Sequence, residues 1–96
     1  MDLLVTYDVD TTTKAGQARL RRVAKLCERY GHRVQQSVFE VVCQDPDKLR
    51  LVAALQQVID HRHDSVRLYR LPAHALDQVE HLGLARDFDP RGPFVI

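Results

Sequence analysis

Hydrophobic and polar positions follow two rhythms along the chain, and each change of rhythm marks an element. Leu3-Leu4-Val5-Thr6-Tyr7 is apolar on both parities, as in a strand covered on both faces, and Asp8-Val9-Asp10-Thr11-Thr12-Thr13 ends it in a polar loop. From about Ala15 to Tyr30, the residues Leu20, Val23, Ala24, Cys27 and Tyr30 recur at helical spacing and form one apolar stripe. Gly31 is the expected left-handed stop of that helix. The β-branched run from Arg33 to Cys43 must be extended, either as one bent strand or as a hairpin breaking near Gln36-Ser37.

Asp45-Pro46 then has the form of a helix start, a capping acceptor followed by a residue that needs no N–H. Leu51, Val52, Leu55, Val58 and Ile59 mark the buried face of this second helix, which is expected to end around Asp60 to His63. Val66, Leu68 and Arg70 alternate against Arg67, Tyr69 and Leu71 in a further strand that Pro72 terminates. One more extended stretch is expected from Val79 to Leu84, and Phe94-Val95-Ile96 closes the sequence after two prolines.

The order strand, helix, hairpin, helix, strand predicts an α+β fold, the ferredoxin-like βαββαβ arrangement with both helices on one face of an antiparallel sheet. Residues 1–96 are read as one such domain, with about 73–96 as a C-terminal strand extension. The other face of the sheet is left without cover. A second copy stacked across a two-fold axis would bury it, so a homodimer is expected, with the extension pairing with the partner subunit.

Composition narrows the class. At 96 residues, 45% hydrophobic and 28% charged, the chain has enough apolar residues for a core and is not low-complexity. No apolar run approaches the roughly 20 residues needed to cross a bilayer. Asp2 spoils a signal-peptide start, so a cytoplasmic protein without a membrane role is expected. Cys27 and Cys43 lack zinc-ligand spacing and read as reduced thiols.

The net charge of +1 hides an asymmetry. Lys14, Arg19, Arg21, Arg22, Lys25, Arg29 and Arg33 face only Glu28 within their segment, a local +6 balanced by −5 elsewhere. On a helical wheel Arg21, Arg22, Lys25 and Arg29 cluster opposite the apolar stripe. Such a ridge is either a plain solvated face or a surface for nucleic-acid phosphates. Asp8 and Asp10, two apart at the end of the first strand, project to one side in extended geometry. They form either a loop-favouring turn or an oxygen-ligand site for a hard cation such as Mg²⁺. Ser37 and Ser65 show no His partner that would make either a nucleophile.

Longer strings resemble a known family. Tyr7-Asp8-Val9, the helix from Arg19 to Cys27, the stretch from Tyr30 to Glu40, Asp64-Ser65-Val66-Arg67-Leu68-Tyr69-Arg70-Leu71 and Val79-Glu80-His81-Leu82-Gly83 look like the small CRISPR-associated Cas-two family. The resemblance implies a ferredoxin-like homodimer whose C-terminal strand crosses to its partner, and a role in spacer acquisition bridging dimers of the Cas-one integrase along duplex DNA. It also implies a Mg²⁺-dependent nuclease acting on RNA or duplex DNA. By that carry-over Asp8 binds the metal, Tyr7 flanks it, and Ser37 and Phe39 border the site. Arg19 and either Arg21 or Arg22 reach phosphates, joined on the basic segment by Lys25, Arg29 and Arg33; Asp10 is a ligand candidate from its spacing alone.

Two functions of different class follow. One is a dimeric metal-dependent endonuclease in which Asp8 positions the ion. The other is a non-catalytic DNA-binding scaffold for the integrase, for which the basic ridge suffices.

Overall fold

The first strand sets the architecture by sorting its side chains. In the computed structural model, which describes residues 1–84, β1 runs Asp2–Asp8, α1 Lys14–Tyr30, β2 Gly31–Gln35, β3 Val38–Val42, α2 Asp45–Val58 and β4 Ser65–Leu71, followed by a 3-10 turn at Ala75–Gln78. Leu3, Val5 and Tyr7 of β1 are buried, whereas Leu4 and Thr6 are half-buried and Asp8 is exposed. Successive side chains of a strand take opposite faces, so the first set marks the core side.

Strand order is β2-β3-β1-β4, with every pairing antiparallel. Val23 and Cys27 of α1 and Leu51 and Leu55 of α2 join Leu3, Val5, Tyr7, Val9, Phe39 and Val41 in one apolar core, which puts both helices on the same face. This is the ferredoxin-like arrangement that the element order predicts. Of the two extended readings for Arg33 to Cys43, the hairpin is the one formed, with its turn at Gln36-Ser37.

The opposite face carries Leu4 beside Glu40 and Tyr69, and Thr6 beside Val38 and Arg67. No helix among the described residues covers it. At its lower edge Asp2 is buried, and its carboxylate accepts a hydrogen bond from the Leu76 backbone N–H at 3.0 Å, tying the turn after β4 to the start of β1.

Several local expectations are corrected. Gly31 is extended, with φ −152° and ψ −169°, and opens β2 directly out of α1 instead of stopping the helix in a left-handed turn. A Cβ at Gly31 would run into the Glu40 carbonyl oxygen and the Val41 side chain, so a close approach between β2 and β3 requires the glycine. Asp45 lies inside α2 rather than capping it: Gln44 holds the cap position without a side-chain bond, and Asp45 and Asp47 occupy the first turn, where acids favour the helix dipole. The helix ends at Val58, short of the expected stop. Val79–Leu84 forms no strand within the described residues, where it has no ladder partner; Val79, Leu82 and Leu84 are exposed. Phe94-Val95-Ile96 lies outside the described residues.

Pairing between β2 and β3 slips by one residue: Arg33 faces Phe39, but Gln35 faces Val38. Val34 is the extra residue of a bulge, which keeps Arg33 on the helix-bearing face while turning Gln35 to the open one.

Candidate functional site

Where β1 ends, three elements leave a cavity between them. Its volume is about 390 Å³, and it is lined by Tyr7, Asp8 and Val9 of the strand end, Leu20, Arg21 and Ala24 of α1, Arg33 of β2, and Gln36 and Ser37 of the hairpin turn, with Thr11 at its mouth. Asp8 is the last residue of β1 and pairs in register with Ser65 of β4. Its exposed carboxylate therefore stands at the rim of a concavity whose cations come from α1 and β2. Four residues singled out in the sequence, Asp8, Arg21, Arg33 and Ser37, meet here, with Tyr7 forming part of the wall.

Tyr7 is 7% exposed, and its hydroxyl donates to the Gln36 carbonyl at 3.3 Å while its backbone N–H donates to the Ser37 carbonyl at 3.1 Å. Both contacts fix the hairpin turn against the strand. Burial pushes the Tyr7 phenol above its ordinary pKa, with the nearby Arg33 charge offsetting part of the effect. Phe39 is fully buried beneath this wall; its ring centroid lies 6.1 Å from that of Tyr7, and Arg33 lies over its face at 5.2 Å. It supports the site from below and does not line the cavity.

Arg33 is held from one side by Glu28, at 3.6 Å. Its Nε is buried and has no hydrogen-bond partner among the described residues. A buried guanidinium nitrogen without an acceptor is uncommon, and an anion in the adjacent cavity would supply one.

Asp10 and Arg19 are taken up by the loop instead. The Asp10 Oδ1 accepts from the Thr12 N–H at 2.9 Å and from the Thr12 hydroxyl at 2.7 Å, which bends the chain away from β1. These bonds lower the Asp10 carboxyl below its ordinary pKa. The extended geometry that would have aligned it with Asp8 ends at Asp8, and Asp10 does not line the cavity that Asp8 lines.

Arg19 forms a two-point bridge to Asp64, with Nε to Oδ2 at 2.8 Å and a second bond of 3.3 Å to Oδ1. The wholly buried Asp64 side chain also accepts the backbone N–H groups of Asp10 at 3.1 Å and Asp60 at 2.8 Å. The bridge faces the loop before β4, and Arg19 does not line the Asp8 cavity. Asp64 thus fastens the exits of β1 and α2 to the start of α1. Sequence reasoning did not find this role; the only signal was an aspartate directly ahead of a strand.

The basic ridge divides along α1. Arg21 turns toward the Asp8 cavity, whereas Arg22, Lys25 and Arg29 line a second concavity between α1 and α2. Among the described residues no group of three or more His, Cys, Asp or Glu side chains is placed to hold a metal. Asp8 alone offers one carboxylate at the cavity, a donor set that suits a hard ion retaining most of its water and binding through substrate oxygens.

A family model described as CRISPR associated protein Cas2 matches residues 1–79. The chain is 42% identical to a CRISPR-associated endonuclease Cas2 of Halalkalibacterium halodurans, covering 99% of each chain. It is 45% identical to a CRISPR-associated endoribonuclease Cas2 of Rhodospirillum rubrum, covering 98% of this chain and 99% of that one. A crystal structure of Streptococcus pyogenes Cas2 at pH 6.5 superposes with a TM-score of 0.77 at 49% identity, covering 86% of this chain and 100% of that chain.

Proposed function

The chain belongs to the Cas2 family of CRISPR-associated proteins, and from that premise we propose that it is a metal-dependent nuclease cleaving phosphodiester bonds of RNA or duplex DNA at the Asp8 cavity. Relatives over nearly the whole chain are named as endonuclease and endoribonuclease. The observation that carries the reading is the cavity itself: one exposed carboxylate opposite Arg21 and Arg33, with the buried Arg33 Nε unsatisfied.

Each side chain has a part. Asp8 holds a divalent ion such as Mg²⁺. That ion supplies Lewis-acid polarisation of a phosphodiester oxygen. Arg33, fixed between Glu28 and the Phe39 ring, offers a pre-oriented guanidinium to the phosphate, and Arg21 supplies a second cation from α1. Tyr7 keeps the Gln36-Ser37 turn at the cavity edge and stays protonated at neutral pH.

One carboxylate per chain is sparse for hydrolysis, and a second copy across the open sheet face would bring a second Asp8. We therefore include in the proposal a homodimer, closed by the C-terminal segment on the partner's sheet, that works with the Cas-one integrase in spacer acquisition. The scarcity of acidic groups at the cavity favours one alternative, a non-catalytic DNA-binding scaffold of the same complex.

Purified protein incubated with Mg²⁺ and labelled RNA, single-stranded DNA and duplex DNA tests the proposal. Cleavage is expected in at least one arm, abolished by EDTA and reduced about a hundredfold or more in Asp8→Asn. Equal cleavage by wild type and Asp8→Asn overturns the assignment. Duplex retention without cleavage in any arm selects the scaffold.

A further inference from the structure

Between α1 and α2 lies a concavity of about 320 Å³ on the outer face of the helical layer, away from the Asp8 cavity. Its floor is apolar, made by Leu26 of α1 and Ala54 and Val58 of α2, with Gln57 beside them. Arg22, Lys25 and Arg29 stand along one side, and no carboxylate lines it. None of the three cations has an ion-pair partner among the described residues. From this we propose that the groove is a docking site for an acidic amphipathic helix of a partner protein.

Spacing and chemistry choose that occupant. Arg22 and Arg29 are seven residues apart, two helical turns or about 10 Å along the axis. Carboxylates at i and i+7 of a helix laid along α1 have the same spacing, and apolar side chains at i+3 and i+4 of that helix would point into the floor. A nucleic acid presents the wrong surface: its phosphates match the three cations, but its backbone offers nothing apolar to cover Leu26, Ala54 and Val58. A second copy seated groove to groove would bring like charges together, since a two-fold contact sets the same patch against itself. Charge and floor together call for a ligand that is acidic on its flanks and aliphatic at its centre.

The inference does not rest on nuclease activity, because the groove shares no lining residue with the Asp8 cavity. The probe is a labelled synthetic 14-residue peptide, helical by design, with Glu at i and i+7 and Leu at i+3 and i+4, titrated into the full chain by fluorescence anisotropy. A scrambled peptide of the same composition and a labelled 20-base-pair duplex serve as competing ligands. The designed peptide is expected to bind at least tenfold more tightly than the scrambled one. Ala54→Gln, which fills the floor without changing charge, should weaken peptide binding about tenfold while leaving duplex binding within twofold. The pair Arg22→Glu/Arg29→Glu should abolish peptide binding with an unchanged circular dichroism spectrum. Equal affinity for both peptides overturns the proposal. So does an Ala54→Gln variant that folds as wild type and binds the designed peptide as tightly, which would return the three cations to a nucleic-acid surface. If Ala54→Gln fails to fold, backbone amide shifts in the wild type decide: peptide-induced shifts at Leu26, Ala54 and Val58 uphold the site, and their absence rejects it.

Discussion

The Arg19 guanidinium grips the Asp64 carboxylate at two points, 2.8 Å from Nε to Oδ2 and 3.3 Å to Oδ1, and so locks a residue of α1 to one that lies 45 positions later. The same carboxylate also takes the backbone N–H groups of Asp10 and Asp60. It is the fastening that holds the loop behind Asp8.

Removing it should be costly. Asp64→Ala leaves the 17%-exposed Arg19 side chain and two backbone donors without their acceptor. Breaking such a buried pair costs about 3 kcal/mol. In a chain of this size, that lowers Tm by on the order of 15 °C in a thermal melt. A fall of only a degree or two would show that the bridge contributes little.

The bridge also sets an acid limb. Burial alone would raise the Asp64 carboxyl, but the Arg19 guanidinium and the N–H groups of Asp60 and Asp10 outweigh it, so its pKa lies below the ordinary value. A carboxyl depressed on folding contributes stability that is complete above its unfolded pKa, about 3.9, and is lost as pH falls through the lower folded value. Urea midpoints measured from pH 6 to pH 2 should fall in the acid range, and Asp64→Asn should flatten that fall. An identical slope in the variant would remove Asp64 as its source.

Tyr7→Phe tests the wall of the cavity. The lost hydroxyl bond to the Gln36 carbonyl should lower stability by about 1 kcal/mol. Ultraviolet titration of wild type minus variant should show a phenol ionising above pH 10, the direction in which burial moves it. A difference spectrum rising below pH 10 would place Tyr7 in solvent.

Gly31→Ala should destabilise the sheet by about 2 kcal/mol in urea unfolding, since the added carbon meets the Glu40 carbonyl and Val41 with no room to yield. The backbone there is extended and accepts any residue, so the cost is one of contact. An alanine variant as stable as wild type would show that β2 can back away.

The two thiols should separate chemically. Cys27 is fully buried, and desolvation pushes it up to about 12, so it holds almost no thiolate at pH 8. Iodoacetamide at that pH should label only the partly exposed Cys43 in the native chain, and both thiols in urea. Native labelling of Cys27, read by mass spectrometry, would mean that α1 opens readily from the sheet.

Local patterns were legible in the sequence wherever the decisive neighbour lay close by. The apolar run from Leu3 to Tyr7 marked the core strand but not which parity is buried, the stripe from Leu20 to Cys27 marked the inner side of α1, and Gln36-Ser37 was the turn of one of two extended readings. The strand end carrying Asp8 was legible for the same reason. Arg19 was not, because its partner is distant in sequence and nothing near it distinguishes a bridged guanidinium from a free one. Asp10 was misplaced by assuming that the strand geometry continued, when Thr12 offers its carboxylate a nearer pair of donors. The single basic ridge on the helical wheel became two surfaces because the wheel holds no α2: Arg22, Lys25 and Arg29 share a concavity with Ala54 and Val58, whereas Arg21 lines the Asp8 cavity.

The bulge at Val34 leaves β2 with one residue that the ladder does not count. Deleting Val34 would bring Arg33 and Gln35 together opposite Phe39 and Val38, an unbroken pairing in which both side chains keep their present sides. Deleting Arg33 instead would close the ladder equally well but would set Val34 opposite Phe39 and take the guanidinium out of the cavity. The strand can therefore lose its surplus residue and still keep the adjoining arginine whose nitrogen awaits an acceptor.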